Sequence, residues 1–261
     1  MTSSITVTSI PASELTPTQI ADCYGLVAQA GILAQPGVLE SVHLVHNPTV
    51  ILAHQQDRLV GFQTFSFYHL QTPFRRQKLG LIYGGLAFQD VQAAGRGIAY
   101  QMARRYMRDK LGPFWAWRDY AVLVATINPR LIQLLGMQHR LYLPTDDTLP
   151  SSVIQFIREF ARQQRSNPHP ISDQLVISPI SPIHLRSEIT HQWPQLYRAS
   201  EERYNQLAYE LKLIEQTNGC HYLVGNSLLV LARSSRSRLI KSSWTLTRKW
   251  LSKRLRVAKV P

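Results

Sequence analysis

Acidic residues are scarce in this chain. Against 29 Lys and Arg there are only 16 Asp and Glu, and no Asp or Glu follows Glu215. The imbalance is local. Ten of the basic residues lie between Arg233 and Lys259, and setting them aside lowers the formal charge from +13 to +3. The high isoelectric point therefore belongs to one end, and the rest of the chain need not meet an acidic partner. Cysteine is equally sparse. Cys23 and Cys220 stand alone, with no CxxC and no Cys/His cluster at zinc spacing. That excludes a disulfide framework and a zinc-finger type site, implies no metal, and fits a reducing compartment with both thiols free. No apolar run approaches the roughly 20 residues that span a bilayer. The opening MTSSITVTSIPASELT lacks a basic n-region and an apolar h-region, so no secretory signal is expected and the expected location is cytoplasmic. No internal repeat is present.

The 261 residues, 44% of them hydrophobic, suffice for one large core with an elaboration. "SELTPTQIADCYGLVAQAG" predicts a first helix capped by Ser13 or Thr16 and stopped at Gly31. A second helix is predicted over Val38–Val45, broken by Asn47-Pro48. "TVILAH" and "LVGFQTFSFYHL", separated by the polar "QQDR", predict a hairpin. "TPFRRQK" reads as a basic connector, with Arg75 and Arg76 on a solvated loop. "LGLIYGGLAF" predicts a strand covered on both faces, with Gly84-Gly85 marking a bulge or a close backbone approach. A helix follows with Ile98, Met102 and Tyr106 inward and Arg104, Arg105 and Arg108 outward. "YAVLVAT" predicts a further buried strand, so that strand, helix and strand form a right-handed parallel crossover. "NPRLIQLL" opens a short helix. Further on, "LPSSVIQFIREFARQQ" predicts a helix and "QLVISPI" an edge strand. Residues 195–217 predict a long helix with Leu196, Leu207, Leu211 and Ile214 inward. "CHYLVGNSLLVLAR" predicts a hairpin turning on Gly225-Asn226.

The stretch AAGRGIAYQMARR, residues 94–106, sets two glycines where a helix begins. Helix-opening amides lack intrahelical acceptors and sit at the positive end of the dipole. A turn of small residues lets a phosphate reach them. Arg96 within the turn, with Arg104 and Arg105 beyond it, offers further positive charge. The plainer alternative is an ordinary strand-to-helix turn. No Gly-Lys-Ser/Thr follows, so the turn is not a Walker loop, and it lacks the three spaced glycines of the dinucleotide fingerprint.

Gly95-Arg96-Gly97-Ile98-Ala99, placed after a strand and opening a helix, resembles the acyl-CoA pyrophosphate loop of the GNAT acyltransferase superfamily, written Q/R-x-x-G-x-G/A and matched here by Ala94 to Ala99. "AVLVATINPRLIQLL" is similar to that superfamily's next strand, Asn and short helix. The order of elements from Thr49 to about Leu135 matches as well. The resemblance implies an α/β (α+β) fold: a mixed, mostly antiparallel central sheet, a bulged strand splayed from a parallel neighbour, and helices on both faces. It also implies that acetyl-CoA or another acyl-CoA is the co-substrate. The amides of Ala94, Gly95, Arg96, Gly97, Ile98 and Ala99 would hold its pyrophosphate. The backbone from Leu86 to Phe88 would pair with the pantetheine arm, and Asn128 would hydrogen-bond near its end.

Three positions depart from the family pattern. Ala94 replaces the usual Gln or Arg, with Gln92 two residues earlier. Leu135 stands where a Tyr often serves as general acid. The bulged strand has no Glu. Candidates for proton transfer are Tyr83, Asp90, His69 and Tyr142. Against these roles stand structural ones: Tyr83 and Tyr142 as packed aromatics, His69 and Asp90 as surface loop residues.

The tail RLIKSSWTLTRKWLSKRLRVAKV places Ile240, Trp244, Leu251 and Leu255 near helical spacing among Lys, Arg and Ser/Thr. Such a segment suits an anionic membrane surface, or nucleic acid through counterion release, or packing on the domain. The expected division is residues 1–145 as an acyl-CoA-binding core, 146–232 as an elaboration completing the sheet, and 233–261 as the tail. The expected function is acyl transfer from acyl-CoA to a small-molecule or peptide amine. The alternative is a CoA- or acyl-binding module with little or no turnover, held at an anionic surface by its tail. Neither acceptor nor oligomeric state is legible.

Overall fold

The computed structural model describes residues 4–30, 36–93, 95–145, 149–163, 171–178, 187–188, 197–218, 220–224 and 226–234. Ala94, Gly31, Leu196, Gly225 and the basic tail beyond Ser234 lie outside them.

The chain opens with β1 (Ile5–Pro11), whose side chains alternate between half-buried and exposed along most of its length. The ITVTSI alternation is a strand signal that the sequence reading passed over. Of the two expected caps, Ser13 and Thr16, it is Thr16 that opens helix α1 (Pro17–Gln29). Thr16 Oγ1 accepts from the Gln19 amide at 3.2 Å, and Gln19 Oε1 accepts from the Thr16 amide at 2.9 Å, a reciprocal capping box. Cys23, Leu26 and Val27 form its buried stripe. The second predicted helix is a π-helical turn, Leu39–Leu44. Then β2 (Thr49–Gln55) and β3 (Arg58–Thr72) form the expected hairpin.

The expected basic connector is absent. β3 runs to Thr72 and β4 (Arg75–Gln89) starts three residues later, so Arg76 lies in a strand and the hairpin turns on Pro73-Phe74. The physical reason is pairing: two 15-residue strands extend the ladder to Thr72↔Arg75 and satisfy the backbone that a loop would leave to solvent. Helix α2 (Ile98–Leu111) buries Ile98, Met102, Tyr106 and Met107 and returns the chain to β5 (Tyr120–Thr126), parallel to β4. After α3 (Pro129–Gln138) come β6 (His139–Tyr142), α4 (Ser151–Gln163), β7 (Val176–Ile177), β8 (Ser187–Glu188) and α5 (Glu202–Glu210). The chain then forms β9 (Ile214–Thr217), β10 (Cys220–Leu223) and β11 (Ser227–Ser234).

The main sheet has the order β1-β2-β3-β4-β5-β11-β6, with β7 on β11, and every neighbouring pair is antiparallel except β4 and β5. This is the mixed, mostly antiparallel sheet with one parallel pair that the resemblance implies. Side chains alternate between its faces. One face meets α2, where Phe65 stacks on Tyr106 with ring centres 4.3 Å apart. The other meets α1 and α4, where Phe160 contacts Tyr68 and Tyr83.

Two expectations past residue 190 fail. The long helix is only α5, because Lys212 takes a positive φ of 52° and Ile214 begins a strand. The hairpin on Gly225-Asn226 does not form. β10 joins β8 and β9 in a separate three-stranded sheet, while β11 inserts between β5 and β6. Its six residues Ser227–Ala232 are all buried, and a central position is what such a run requires.

Candidate functional site

The site begins with a break in register. β3 and β4 pair from Leu70↔Leu79 to Phe65↔Gly84, and again from Gln63↔Ala87. Gly85 and Leu86 therefore face Thr64 alone, which is a β-bulge. The extra residue turns the Leu86 amide toward Thr64, whose Oγ1 accepts it at 2.9 Å. Behind the bulge lies a small buried polar cluster. The Ser66 hydroxyl donates to the His46 carbonyl and, at 3.2 Å, to Asn47 Oδ1, while Asn47 Nδ2 donates to the His43 carbonyl at 2.9 Å. A Cβ on Gly85 would stand 2.3 Å from Thr64 Oγ1 and 2.7 Å from Asn47 Nδ2. Only glycine fits.

The bulge coincides with a second break. Pairing of β4 with β5 runs from Gly80↔Tyr120 to Gly84↔Val124 and ends there. β4 continues to Gln89 and β5 to Thr126 without a further pair between them. The two parallel strands open from each other at Gly84, leaving that edge of Gly85–Gln89 without a strand partner among the described residues.

The glycine turn lies past the open end of β4. Gly95 and Gly97 both have positive φ, 80° and 73°, and a Cβ on either would meet nothing within 4 Å. Glycine is needed here for backbone conformation, and the backbone is open on its outer side. Gly97 caps α2 with no side-chain hydrogen bond, and the Gln101 amide makes a bond to Gly97 O at 3.0 Å. The amides of Ile98, Ala99 and Tyr100 thus lack intrahelical acceptors at the positive end of a 14-residue helix. Two contacts brace the turn. Arg96 Nη1 donates to Gln55 Oε1 at 2.8 Å, and Gln101 Nε2 donates to the Arg96 carbonyl at 3.3 Å. The expected contribution of Arg105 is not available, since its guanidinium donates to Asp109 at 2.8 Å and to the Val7 carbonyl at 3.3 Å. Arg104 is exposed.

Asn128, at the end of β5, caps α3. Its Oδ1 accepts from the amides of Arg130 at 3.0 Å and Leu131 at 3.4 Å. The open edge with the unpartnered helix amides suits an elongated ligand that carries peptide-like amides and ends in phosphates. The acyl-CoA expected from the sequence has that chemistry.

The four proton-transfer candidates do not converge. Tyr83 is buried beneath Phe160, with ring centres 5.8 Å apart. His69 is exposed and pairs in register with Gly80, on the opposite face from Tyr83. Asp90 is not the surface residue expected. It is buried because it holds the turn after β4. Its amide donates to Val60 O at 3.0 Å and its Oδ1 accepts from the Gln92 amide at 2.8 Å. Arg58 Nη1 approaches Oδ2 to 2.7 Å, a charge contact rather than an aligned hydrogen bond. Tyr142 lies in the same row of the sheet as Tyr83, through Leu123 and Leu231, but three strands away, roughly 14 Å. It stacks on Phe74 at 4.8 Å. Leu135 packs partly buried against the core.

The sequence reading missed Asn47, Thr64 and Ser66. A signal existed: in FQTFSFY two small hydroxyl residues alternate with phenylalanines in a strand that both faces bury, and such hydroxyls need a buried partner.

No protein-family model matches the chain, and no curated protein matches it in sequence. Solved structures similar to it include an acyl-CoA N-acyltransferase from Pseudomonas aeruginosa, at 16% identity and TM-score 0.34, covering 47% of this chain and 80% of that one. Another is Arabidopsis thaliana NAA60 in complex with acetyl-CoA, at 14% identity and TM-score 0.37, covering 54% and 91%. A third is the diaminobutyrate acetyltransferase of Paenibacillus lautus with its substrate and coenzyme A, at 13% identity and TM-score 0.33, covering 51% and 70%.

Proposed function

We propose that the protein is an N-acyltransferase that moves an acetyl or other acyl group from acyl-CoA to an amine by direct attack. One observation carries this reading: the bulge, the end of β4–β5 pairing and the open glycine turn succeed one another along a single strand and its following helix. Amides of Gly95–Ala99 would hold the pyrophosphate, with Arg96 held alongside by Gln55. The freed edge from Leu86 to Phe88 would pair with the pantetheine amides, and Asn128 would lie beside its far end. Bound there, the ligand supplies a thioester carbonyl at the opening. The chain's part is to fix that carbonyl and admit a neutral amine. The carbon–nitrogen bond forms, the carbon–sulfur bond breaks, the amine releases a proton and the thiolate takes one up.

A second reading, a CoA- or acyl-binding module with little turnover, is favoured by the placement of the proton-transfer candidates. Tyr83, Asp90 and Tyr142 are each engaged in packing or turn contacts, and His69 is on the other face from Tyr83. Calorimetry with acetyl-CoA and longer acyl-CoAs, followed by release of free thiol across a panel of amines, decides between the two. Binding with thiol release supports the transferase. Binding without release selects the module. Absence of binding at high micromolar ligand removes both. We further propose a cytoplasmic location with peripheral attachment through residues 233–261.

A further inference from the structure

The end of the sheet away from the glycine turn carries a feature that acyl transfer does not use. Helix α2 ends at Gly112, and the loop to β5 reads Pro113-Phe114-Trp115-Ala116-Trp117-Arg118-Asp119. Trp115 turns inward, 8% exposed, with its ring 6.4 Å from Tyr120. That anchor fixes the 3-10 turn Trp115–Trp117 and leaves the neighbouring aromatics outward: Phe114 is 71% exposed and Trp117 57%. They are the only large aromatic side chains so exposed among the described residues. A lone exposed aromatic is ordinary, but two in four residues on a pinned turn form a patch.

Positive charge surrounds the patch. Lys110 and Arg118 flank it and are exposed, and Asp119 is the loop's one acid. Across the sheet end, Arg233 of β11 stands opposite Arg140 of β6 on the face away from Tyr120, each guanidinium 5.5 Å from an aromatic ring, Phe74 and Tyr142 respectively. The Tyr120 amide donates to Ser234 Oγ at 3.1 Å, so Ser234, the last described residue, lies beside the end of the loop. In sequence, residues 235–261 carry nine further Lys and Arg, Trp244 and Trp250, and no acid.

We propose that this end of the domain, with Phe114 and Trp117 as inserting side chains, docks on an anionic lipid bilayer. Aromatic rings settle at the headgroup level, and each nearby Lys or Arg adds attraction to acidic lipid. Phe114 has no polar group to offer a nucleic acid backbone, and the residues after Ser234 pair their cations with Trp, Leu and Ile, the composition of an interfacial segment. The glycine turn lies at the other end of α2, roughly 20 Å away along its 14 residues at the helical rise. A docked molecule would keep that turn in water.

The test uses the full chain and vesicles of phosphatidylcholine with or without 30% phosphatidylserine. The expected result is sedimentation with the anionic vesicles, at least tenfold weaker binding to neutral ones, and loss of binding at high salt. Phe114→Ala/Trp117→Ala in the full chain should weaken anionic-vesicle binding at least fivefold with the same unfolding midpoint, both side chains being exposed. Its elution from heparin should not change. Three results would overturn the proposal: no binding to anionic vesicles, a double variant that binds them like the parent, or duplex DNA that binds more tightly than the vesicles and shows the same loss in the variant.

Discussion

Gly85→Ala is the sharpest perturbation of the site. The new methyl would meet Thr64 Oγ1 at 2.3 Å and Asn47 Nδ2 at 2.7 Å. Neither neighbour is a free end that swings aside. Thr64 is fully buried and holds the Leu86 amide, and Asn47 is hydrogen-bonded to His43 O and Ser66. Overpacking of this kind costs about 1–3 kcal/mol. Pushing Thr64 away leaves a buried amide without its acceptor, a further cost of about 1–3 kcal/mol. The expected loss is therefore about 2–6 kcal/mol in urea unfolding followed by circular dichroism. Gly84→Ala provides a graded comparison, since its Cβ meets one methyl, Val124 Cγ1, at 2.9 Å. It should cost about 1–2 kcal/mol. Gly25→Ala, in α1 with nothing within 4 Å, should instead add about 0.5–1 kcal/mol. Because the Gly85 clash runs through Thr64, the double change Gly85→Ala/Thr64→Ala should fall short of the summed losses by at least about 1 kcal/mol. A Gly85→Ala protein within about 0.5 kcal/mol of the parent, or strict additivity with Thr64→Ala, would refute the locked bulge.

At the turn, Gly97→Glu meets no neighbour but forces a side chain into φ +73°. Stability should drop by only about 1–2 kcal/mol, while acetyl-CoA binding measured by calorimetry falls at least tenfold. Equal affinity would show that the turn does not hold the ligand. Burial lowers the pKa of His139 to about 4. Its charged form is disfavoured in the fold, so it adds nothing to the pH dependence above its unfolded pKa of about 6.5 and costs stability as pH falls from there toward 4. Between pH 7 and pH 4 the parent should lose about 3 kcal/mol relative to His139→Phe, read from urea midpoints; parallel curves would count against it. The Cys23 thiol is fully buried and pushed up to about 12, mainly by desolvation. In a Cys220→Ser background it should resist Ellman's reagent until denaturant is added, and prompt labelling of the native protein would contradict that burial.

Most of the core was readable because its signals are local. A cap at Thr16, one of the two candidates, the hairpin around QQDR and the strand–helix–strand crossover through α2 each follow from a few adjacent residues. The glycine turn was legible for the same reason: positive φ is a property of single residues. Past residue 190 the reading failed because apolar spacing is ambiguous there. Leu207, Leu211 and Ile214 fit a helical stripe, yet Lys212 turns the chain and Ile214 belongs to a strand. The assignment of β11 to a place between β5 and β6 depends on partners about 100 residues earlier, which no local pattern encodes.

The sequence by itself determined where glycine had to be, which segments alternate, and that acid is absent from one end of the chain. It could nominate Tyr83, His69, Asp90 and Tyr142 for proton transfer only by type. Tertiary structure decided which of them lie near one another, by sending side chains to opposite faces and setting Tyr83 and Tyr142 three strands apart. It also decided that Thr64 and Asn47, polar residues from two separate segments, close on Gly85. Those contacts span 21 and 38 residues of sequence, and only pairing of β3 with β4 and packing of the 39–47 segment bring them together.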